Sequence, residues 1–304
     1  DESFIIPASL DMFPYVYLQN DKPTAWATVT KAFHRPGPCA EDFEAINCLR
    51  DFAREANAFI DARAGERDKP FFLYLPLSSP HTPIVPSKPW QGKSDVGKYG
   101  DFLMETDWVV GQVLQALDRH RLTENTIVIF ATDNGCSPAA KIPALVAKGH
   151  KPNADWRGHK ADIFEGGHRV PFFVRWPGKL KSGTRCSTTI VFNDVIPTLA
   201  EMLDLSLNDE TAEDGRSFFK ALTGEANPES FHEAIVHNHS NGTFAIRRGA
   251  FKLTVNGPKT IAQIMDDAFP VSFALHDLDR DIEETTDVSR SHPEKVKQMH
   301  VLLK

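Results

Sequence analysis

The 304-residue chain is poor in cysteine, and it has no excess of positive charge and no long hydrophobic run. Its four cysteines, at positions 39, 48, 136 and 186, form no Cys-x-x-Cys pair, which argues against a cysteine-based zinc site. A net charge of −7 offers no basic surface for nonspecific binding of nucleic acid. No apolar run approaches the roughly 18 residues of a membrane-spanning helix. We therefore expect neither a nucleic-acid nor a membrane partner. Cys39 and Cys48 are close enough in sequence to pair, and the sequence leaves their state open.

Helix and strand patterns alternate over the first 225 residues. Apolar residues recur at helical spacing over residues 41–64 and 99–121, and a further helix is predicted from about residue 194. Continuous apolar runs of strand length occupy residues 70–77, 126–132 and 169–176. This alternation predicts an α/β domain with a mostly parallel sheet flanked by helices. Residues 1–40, rich in proline and aromatics, are predicted to be an irregular surface segment.

The pattern changes after about residue 225. Short strands are predicted over residues 232–237, 243–247 and 251–255, and an amphipathic helix near residues 292–303. We therefore predict two domains, an α/β domain over residues 1–225 and a small antiparallel α+β subdomain over residues 226–304.

Asp133-Asn134-Gly135 directly follows the apolar run 126–132. Ligands of open α/β sheets bind beyond the carboxyl ends of the strands. A carboxylate and an amide oxygen suit a hard cation such as calcium. When the motif is taken alone, an ordinary Asn-Gly turn is the better explanation of the same residues, because Asn-Gly is a common turn dipeptide.

Two further motifs accompany this one, in a fixed order along the chain. Pro80-His81-Thr82-Pro83 precedes it, and a long loop after it leads to Lys160, followed by Glu165-Gly166-Gly167-His168-Arg169-Val170-Pro171. Together with the tail segments 244–253, 275–279 and 283–288, these motifs resemble those of the type I sulfatases of the alkaline-phosphatase-like superfamily. The resemblance is nearest to the arylsulfatase and N-acetylgalactosamine-6-sulfatase branch.

The resemblance implies hydrolysis of a sulfate ester, carried by an aryl group or a carbohydrate, with one calcium ion. By it, Asp133 and Asn134 are calcium ligands, His81 contacts the sulfate and the ester oxygen, and Lys160 contacts a sulfate oxygen. A cation, an ammonium and an imidazole would stabilise the charge that develops as the ester breaks. Glu165 is expected to be structural.

Three more residues are substrate-binding candidates. His237 and His239 leave a strand of the small subdomain at an edge that approaches the pocket in relatives. Trp156, in the long loop, is the best candidate for stacking against a sugar or aryl ring.

The family's nucleophile, a formylglycine made from Cys or Ser in Cys/Ser-x-Pro-x-Arg, has no match here. Cys136-Ser137-Pro138-Ala139-Ala140 lacks the arginine and lies on the wrong side of Asp133. We expect the nucleophile in a segment upstream of residue 1, which could also be a separate chain, and we expect the isolated chain to be inactive.

Two other functions stay open at this point. One is a phosphodiester or phosphonate hydrolase of the same superfamily, whose two-metal members typically place Asp-His-Gly where this chain has Asp133-Asn134-Gly135. The other is a noncatalytic anion-binding module of sulfatase descent. The resemblance also implies a periplasmic or secreted location, which the chain itself does not show.

Overall fold

The chain divides into two compact units in a computed structural model that describes residues 1–208, 210–225 and 231–304. Unit 1 comprises residues 1–127 and 137–151, and unit 2 comprises residues 128–136 and 152–304. The predicted division after residue 225 adjoins residues 226–230, which lie outside the described residues, and it stays a prediction. Within the described ranges, no helix has the length and apolar character needed to cross a membrane.

Unit 1 holds five strands and three α-helices. They are β1 (Phe4–Ile5), β2 (Leu18–Gln19), β3 (Lys22–Pro23), β4 (Ala27–Ala32), β5 (Pro36–Ala40), α1 (Cys48–Arg63), α2 (Lys98–Arg119) and α3 (Ile142–Ala147). Strands β1 to β3 form one antiparallel sheet, and β4 and β5 form an antiparallel hairpin. The prediction of an irregular surface segment over residues 1–40 was therefore wrong.

The amino-terminal segment also supplies part of the core of unit 1. Leu10, Tyr15 and Cys39 are at most 2% exposed, and the Tyr15 hydroxyl donates a 2.6 Å hydrogen bond to the Arg35 carbonyl. Helices α1 and α2 bury the apolar stripes that their spacing predicted, in a cluster of Leu49, Ala53, Phe102 and Val109. Cys39 and Cys48 are buried free thiols, and burial raises the pKa of the Cys48 thiol to about 12.

Residues 70–77 form no strand, contrary to the prediction, although their exposure alternates as in one. Phe72 and Tyr74 are 79% and 75% exposed, whereas Leu75 and Leu77 pack against the core of unit 1. The apolar run is thus half-buried rather than covered on both faces.

The described residues of unit 2 form six strands and five α-helices. They are β6 (Val128–Ala131), α4 (Glu165–His168), β7 (Phe172–Arg175), α5 (Val195–Met202), α6 (Phe219–Thr223), β8 (Ile235–Asn238), β9 (Phe244–Arg248), β10 (Phe251–Asn256), α7 (Ile261–Met265), β11 (Ser272–Asp277) and α8 (Pro293–Leu303). Strands β6 and β7 pair antiparallel, with Val128 opposite Arg175. In the described ranges every ladder between strands is antiparallel, so the predicted mostly parallel sheet is not confirmed.

The carboxyl-terminal part of unit 2 contains the small antiparallel sheet that the sequence predicted. Its strand order is β11-β10-β9-β8, and β11 is a strand that the sequence reading did not include. Helix α8 covers one face of the sheet, where Val296 and Met299 pack against Ile246, Leu253 and Leu275. The opposite side of β10 carries Lys252, whose surroundings belong to the candidate site.

Candidate active site

Gly135 fixes the turn that follows β6 through a close backbone approach. Its amide donates a 3.1 Å hydrogen bond to the Gly167 carbonyl. A Cβ atom at this position would lie 1.7 Å from the carbonyl oxygen of Gly166, so only glycine fits. The Asp133-Asn134-Gly135 turn is therefore attached to the Glu-Gly-Gly turn of α4, and both belong to unit 2.

Asn153 and Lys160 attach the long loop to the same turn. The Cys136 amide donates to Asn153 Oδ1 at 2.8 Å, and Asn153 Nδ2 donates to the Gly158 carbonyl at 2.9 Å. The Lys160 amide donates to the Cys136 carbonyl at 2.9 Å. Two predicted site elements, the Asp133-Asn134 pair and Lys160, are thus joined by direct backbone bonds.

The neighbours of Lys160 are paired, whereas its own ammonium has no acidic partner among the residues described. Asp162 lies between two imidazoles, with His159 Nδ1 at 3.4 Å and His239 Nε2 at 3.6 Å. The Ser240 amide also donates to the Ala161 carbonyl at 3.1 Å. The loop after β8 therefore supports the segment that carries Lys160 and leaves its charge available for an anion.

His237 approaches the same segment but is not free to titrate near neutral pH. Its Nε2 donates to the Ile163 carbonyl at 3.3 Å, and its ring centroid lies 4.3 Å from that of His168. Burial, followed by the nearby Lys252 ammonium, lowers the pKa of His237 to about 3. A neutral imidazole bonded to backbone fits a supporting role better than contact with a sulfate group.

One face of the half-buried Trp156 is occupied. The guanidinium of Arg169 lies 4.7 Å from the ring centroid, which is cation–π geometry. Only the other face is left for a sugar or aryl ring, so the predicted stacking role of Trp156 stays a prediction with one available side.

A buried group of four charges anchors α4 to the carboxyl-terminal sheet. The Lys252 ammonium lies 2.9 Å from Glu284 Oε2 and 3.4 Å from Glu165 Oε1, and Glu165 Oε2 lies 2.9 Å from Arg247 Nη1. Lys252 and Glu284 are 0% exposed and Glu165 is 4% exposed. The exposed Arg169 lies 3.8 Å from Glu165 Oε2 as well, so each buried carboxylate has at least one cation beside it, as buried charges require. The expected structural role of Glu165 agrees with these contacts.

His81 belongs to unit 1, whereas the other predicted site residues belong to unit 2. It lies between two cis peptide bonds, Ser79–Pro80 and Thr82–Pro83. Its Nδ1 lies 2.8 Å from the Thr82 carbonyl oxygen, and 38% of its side chain is exposed. With Nδ1–H donating to that carbonyl, Nε2 is the nitrogen that can exchange a proton with a ligand.

The side-chain oxygens of Asp133 and Asn134 are of the type that binds calcium, but two residues do not supply enough ligands for the ion. Asp133 is exposed, and Asn134 donates through Nδ2 to the Gly135 carbonyl at 3.0 Å, which leaves its Oδ1 as an acceptor. Calcium takes six to eight oxygen ligands. Across the described ranges, no group of three or more His, Cys, Asp or Glu side chains could hold a metal. Further oxygen ligands would therefore complete such a site.

Sequence reasoning missed the residues that hold the site together. Asn153 lies in a polar loop without periodicity, and nothing in its neighbourhood marks its two bonds. Lys252 lies in the alternating run Phe-Lys-Leu-Thr-Val, where a lysine is ordinarily solvent-exposed. Lys252 belongs to the segment 244–253, which carries part of the family resemblance but has no pattern that indicates a buried charge.

The sulfatase family model matches residues 19–205 of the chain, a range that includes His81, Asp133, Asn134, Trp156 and Lys160. The chain is 29% identical over 350 residues to an N-acetylgalactosamine-6-O-sulfatase of Bacteroides thetaiotaomicron, covering 100% of this chain and 67% of that protein. Human steryl-sulfatase is 35% identical over 194 residues, which cover 63% of this chain and 32% of that protein.

A solved structure from Bacteroides thetaiotaomicron, designated 6S-sulf and described in connection with the metabolism of multiple glycosaminoglycans, has the same fold. The TM-score is 0.84 at 26% identity, covering 100% of this chain and 72% of that one. This similarity shows that the chain has the fold of a sulfatase, while the predicted parallel arrangement of its sheet is not confirmed. The chain spans only part of the length of each of these three proteins.

Proposed function

Because the chain belongs to the sulfatase family, we propose that the protein hydrolyses sulfate esters of carbohydrates with the help of one calcium ion. The observation that carries the proposal is the attachment of Lys160 to the Asp133-Asn134-Gly135 turn through the Cys136 carbonyl. It ties the backbone of Lys160, which has no acidic partner among the described residues, to the turn that carries two oxygen donors suited to calcium.

The substrate class follows from the relatives that align with the whole chain. Both the N-acetylgalactosamine-6-O-sulfatase and the 6S-sulf structure cover 100% of this chain, whereas steryl-sulfatase covers 63%. We therefore propose a 6-O-sulfated hexosamine, free or within a glycan, in preference to a sterol sulfate. An extracytoplasmic location is part of the proposal and depends on the family alone.

Each site residue has a role in the proposed reaction. Asp133 and Asn134 would hold calcium, which supplies positive charge for the sulfate group when it is bound. Lys160 would contribute a fixed positive charge to a sulfate oxygen, and His81 would give a proton to the leaving oxygen. A formylglycine in a segment outside this chain would supply the nucleophile.

The side-chain type at position 134 argues against assigning the protein to the zinc-dependent phosphodiester hydrolases. Asn134 offers an amide oxygen, which is a calcium ligand and a poor zinc ligand. A sulfatase of this kind is expected to release sulfate from N-acetylgalactosamine 6-sulfate and to leave the matching 6-phosphate and the 4-sulfate nearly untouched.

The experiment uses the full-length protein and its Lys160→Ala and His81→Ala variants, with Lys181→Ala and His34→Ala as exposed controls. We expect Lys160→Ala to lower kcat/KM roughly 10²-fold on both aryl and sugar sulfates, because a fixed charge acts on both. His81→Ala should lower it more on the sugar sulfate, whose poor leaving group needs the proton. Phosphate release with no sulfate release would refute the proposal.

A further inference from the structure

Asp11 is a buried carboxylate that the proposed reaction does not yet use. It is 6% exposed, although it lies in the proline-rich amino-terminal segment of unit 1. The Ser9 hydroxyl donates a short hydrogen bond to Asp11 Oδ1. The other carboxylate oxygen, Oδ2, lies 3.7 Å from a guanidinium nitrogen of Arg35. A buried carboxylate is expensive unless it is paired, so these contacts explain how Asp11 stays charged but not why it is there.

The remaining neighbour of Asp11 is the imidazole of His81. Asp11 Oδ1 lies 3.8 Å from His81 Nδ1, which is too long for a hydrogen bond but short for an interaction between opposite charges. Burial acts to raise the pKa of Asp11, but the Ser9 hydroxyl, and after it His81 and Arg35, outweigh it and hold that pKa below its usual value. The carboxylate is therefore negatively charged near neutral pH.

The orientation of the ring directs the effect of this charge to the exposed nitrogen. Nδ1–H donates to the Thr82 carbonyl at 2.8 Å, so the ring cannot turn Nδ1 toward a ligand without losing that bond. A negative charge beside Nδ1 attracts positive charge anywhere on the conjugated ring, so it acts on Nε2 without touching it.

We infer that Asp11 is a positioning residue for His81 and that its charge keeps a transferable proton on Nε2. The inference deepens the proposed function and rests on it for the identity of the acceptor. In the proton transfer, Nε2 gives its proton to the ester oxygen as the sulfur–oxygen bond breaks. That oxygen keeps the bonding electrons, and the sulfuryl group passes to the nucleophile of the proposed reaction. Among the described residues, Asp11 is the charged group beside this imidazole, and Arg35 lies on the other carboxylate oxygen of Asp11.

The first measurement is made on the full-length protein with Asp11→Asn, which removes the charge and keeps the shape. We expect kcat/KM to fall at least about 10-fold on the sugar sulfate and clearly less on an activated aryl sulfate. In a His81→Ala background, Asp11→Asn should add less than about twofold, because the two residues act as a unit. Equal losses on both substrates, or additive losses in the double variant, would show that Asp11 supports only the fold.

The second measurement needs no turnover and therefore separates this inference from the proposed function. Diethyl pyrocarbonate modifies neutral imidazole, and mass spectrometry of the 304-residue chain at pH 6 compares the modification of His81 with that of the exposed His34. Asp11→Asn should speed modification of His81 about threefold or more. Arg35→Gln removes the opposing charge and should slow it, a reversal of sign that loss of structure cannot produce.

The outcomes are distinct. If Asp11→Asn leaves the modification rate of His81 unchanged, the charge coupling is absent and the inference is wrong. If the rates shift as expected but the full-length protein releases no sulfate, the coupling stands and the proposed function fails. A thermal melt of each variant confirms that the chain is folded, and Arg35→Gln provides the test if Asp11→Asn does not fold.

Discussion

Replacing Lys252 with Met should destabilise unit 2 severely, because the fully buried Glu284 carboxylate loses its ammonium partner, whereas Glu165 keeps Arg247 and Arg169. Lys252 is 0% exposed and lies 2.9 Å from Glu284 Oε2 and 3.4 Å from Glu165 Oε1. Methionine has a similar volume, so the loss is one of charge balance and not of packing. Removing one partner of a buried ion pair costs about 3–5 kcal/mol, far more than an exposed pair would.

Urea unfolding and calorimetry of the 304-residue chain measure this effect directly. The matched control is Lys252→Met with Glu284→Gln, in which one positive and one negative charge are removed together. We expect the double variant to recover more than half of the lost stability, since no buried carboxylate is then left without its cation. A loss below about 1 kcal/mol for Lys252→Met, or no recovery in the double variant, would refute the reasoning.

Two further predictions concern pH and the turn after β6. Burial lowers the pKa of His237 from 6.5 to about 3, so between these values the unfolded chain binds a proton that the folded chain does not. Folding stability should therefore fall as pH drops through this window, and His237→Gln should flatten that fall in urea unfolding at pH 7 and pH 4.5. Gly135→Ala should lower the melting temperature and weaken calcium binding in the full-length protein, because its Cβ would collide with backbone 1.7 Å away. Gly111→Ala, within α2 and facing open space, is the control and should be neutral or stabilising by up to about 1 kcal/mol.

Local pattern predicted the long elements because their burial follows their own periodicity. The stripes over residues 41–64 and 99–121 became α1 and α2, and the run over 126–132 became β6. Residues 36–40 were predicted to be irregular because Pro-Gly-Pro is unfavourable in a central strand. They nevertheless form β5, which belongs to a two-stranded hairpin, where the missing amide donors of proline cost little. The predicted parallel pairing of strands is not confirmed, because the apolar content of a strand does not encode the direction of its partner. Strands β6 and β7, for example, pair antiparallel.

For the candidate site, the sequence singled out candidate groups but not the residues that support them, and the roles of those groups stay predictions. The short motifs around Asp133 and Lys160 carry unusual residue types in a fixed order, and the structure joins them through Cys136. Asn153 acts through bonds within its own irregular loop region, and Glu284 acts through a contact far along the chain, the 2.6 Å bond from the Glu165 amide to Glu284 Oε1. Spacing in the sequence does not report contacts of that range.

The alternating exposure of residues 70–77 has a consequence for handling the isolated chain. Phe72 and Tyr74 are 79% and 75% exposed to water, and their segment pairs with no strand among the described residues. Unpaired extended segments with exposed aromatic side chains tend to associate with similar segments of other molecules. Each Å² of apolar surface buried in this way contributes about 25 cal/mol of favourable free energy. Concentrated samples of the 304-residue chain should therefore self-associate through this segment, and a charged substitution at Phe72 should keep them in solution.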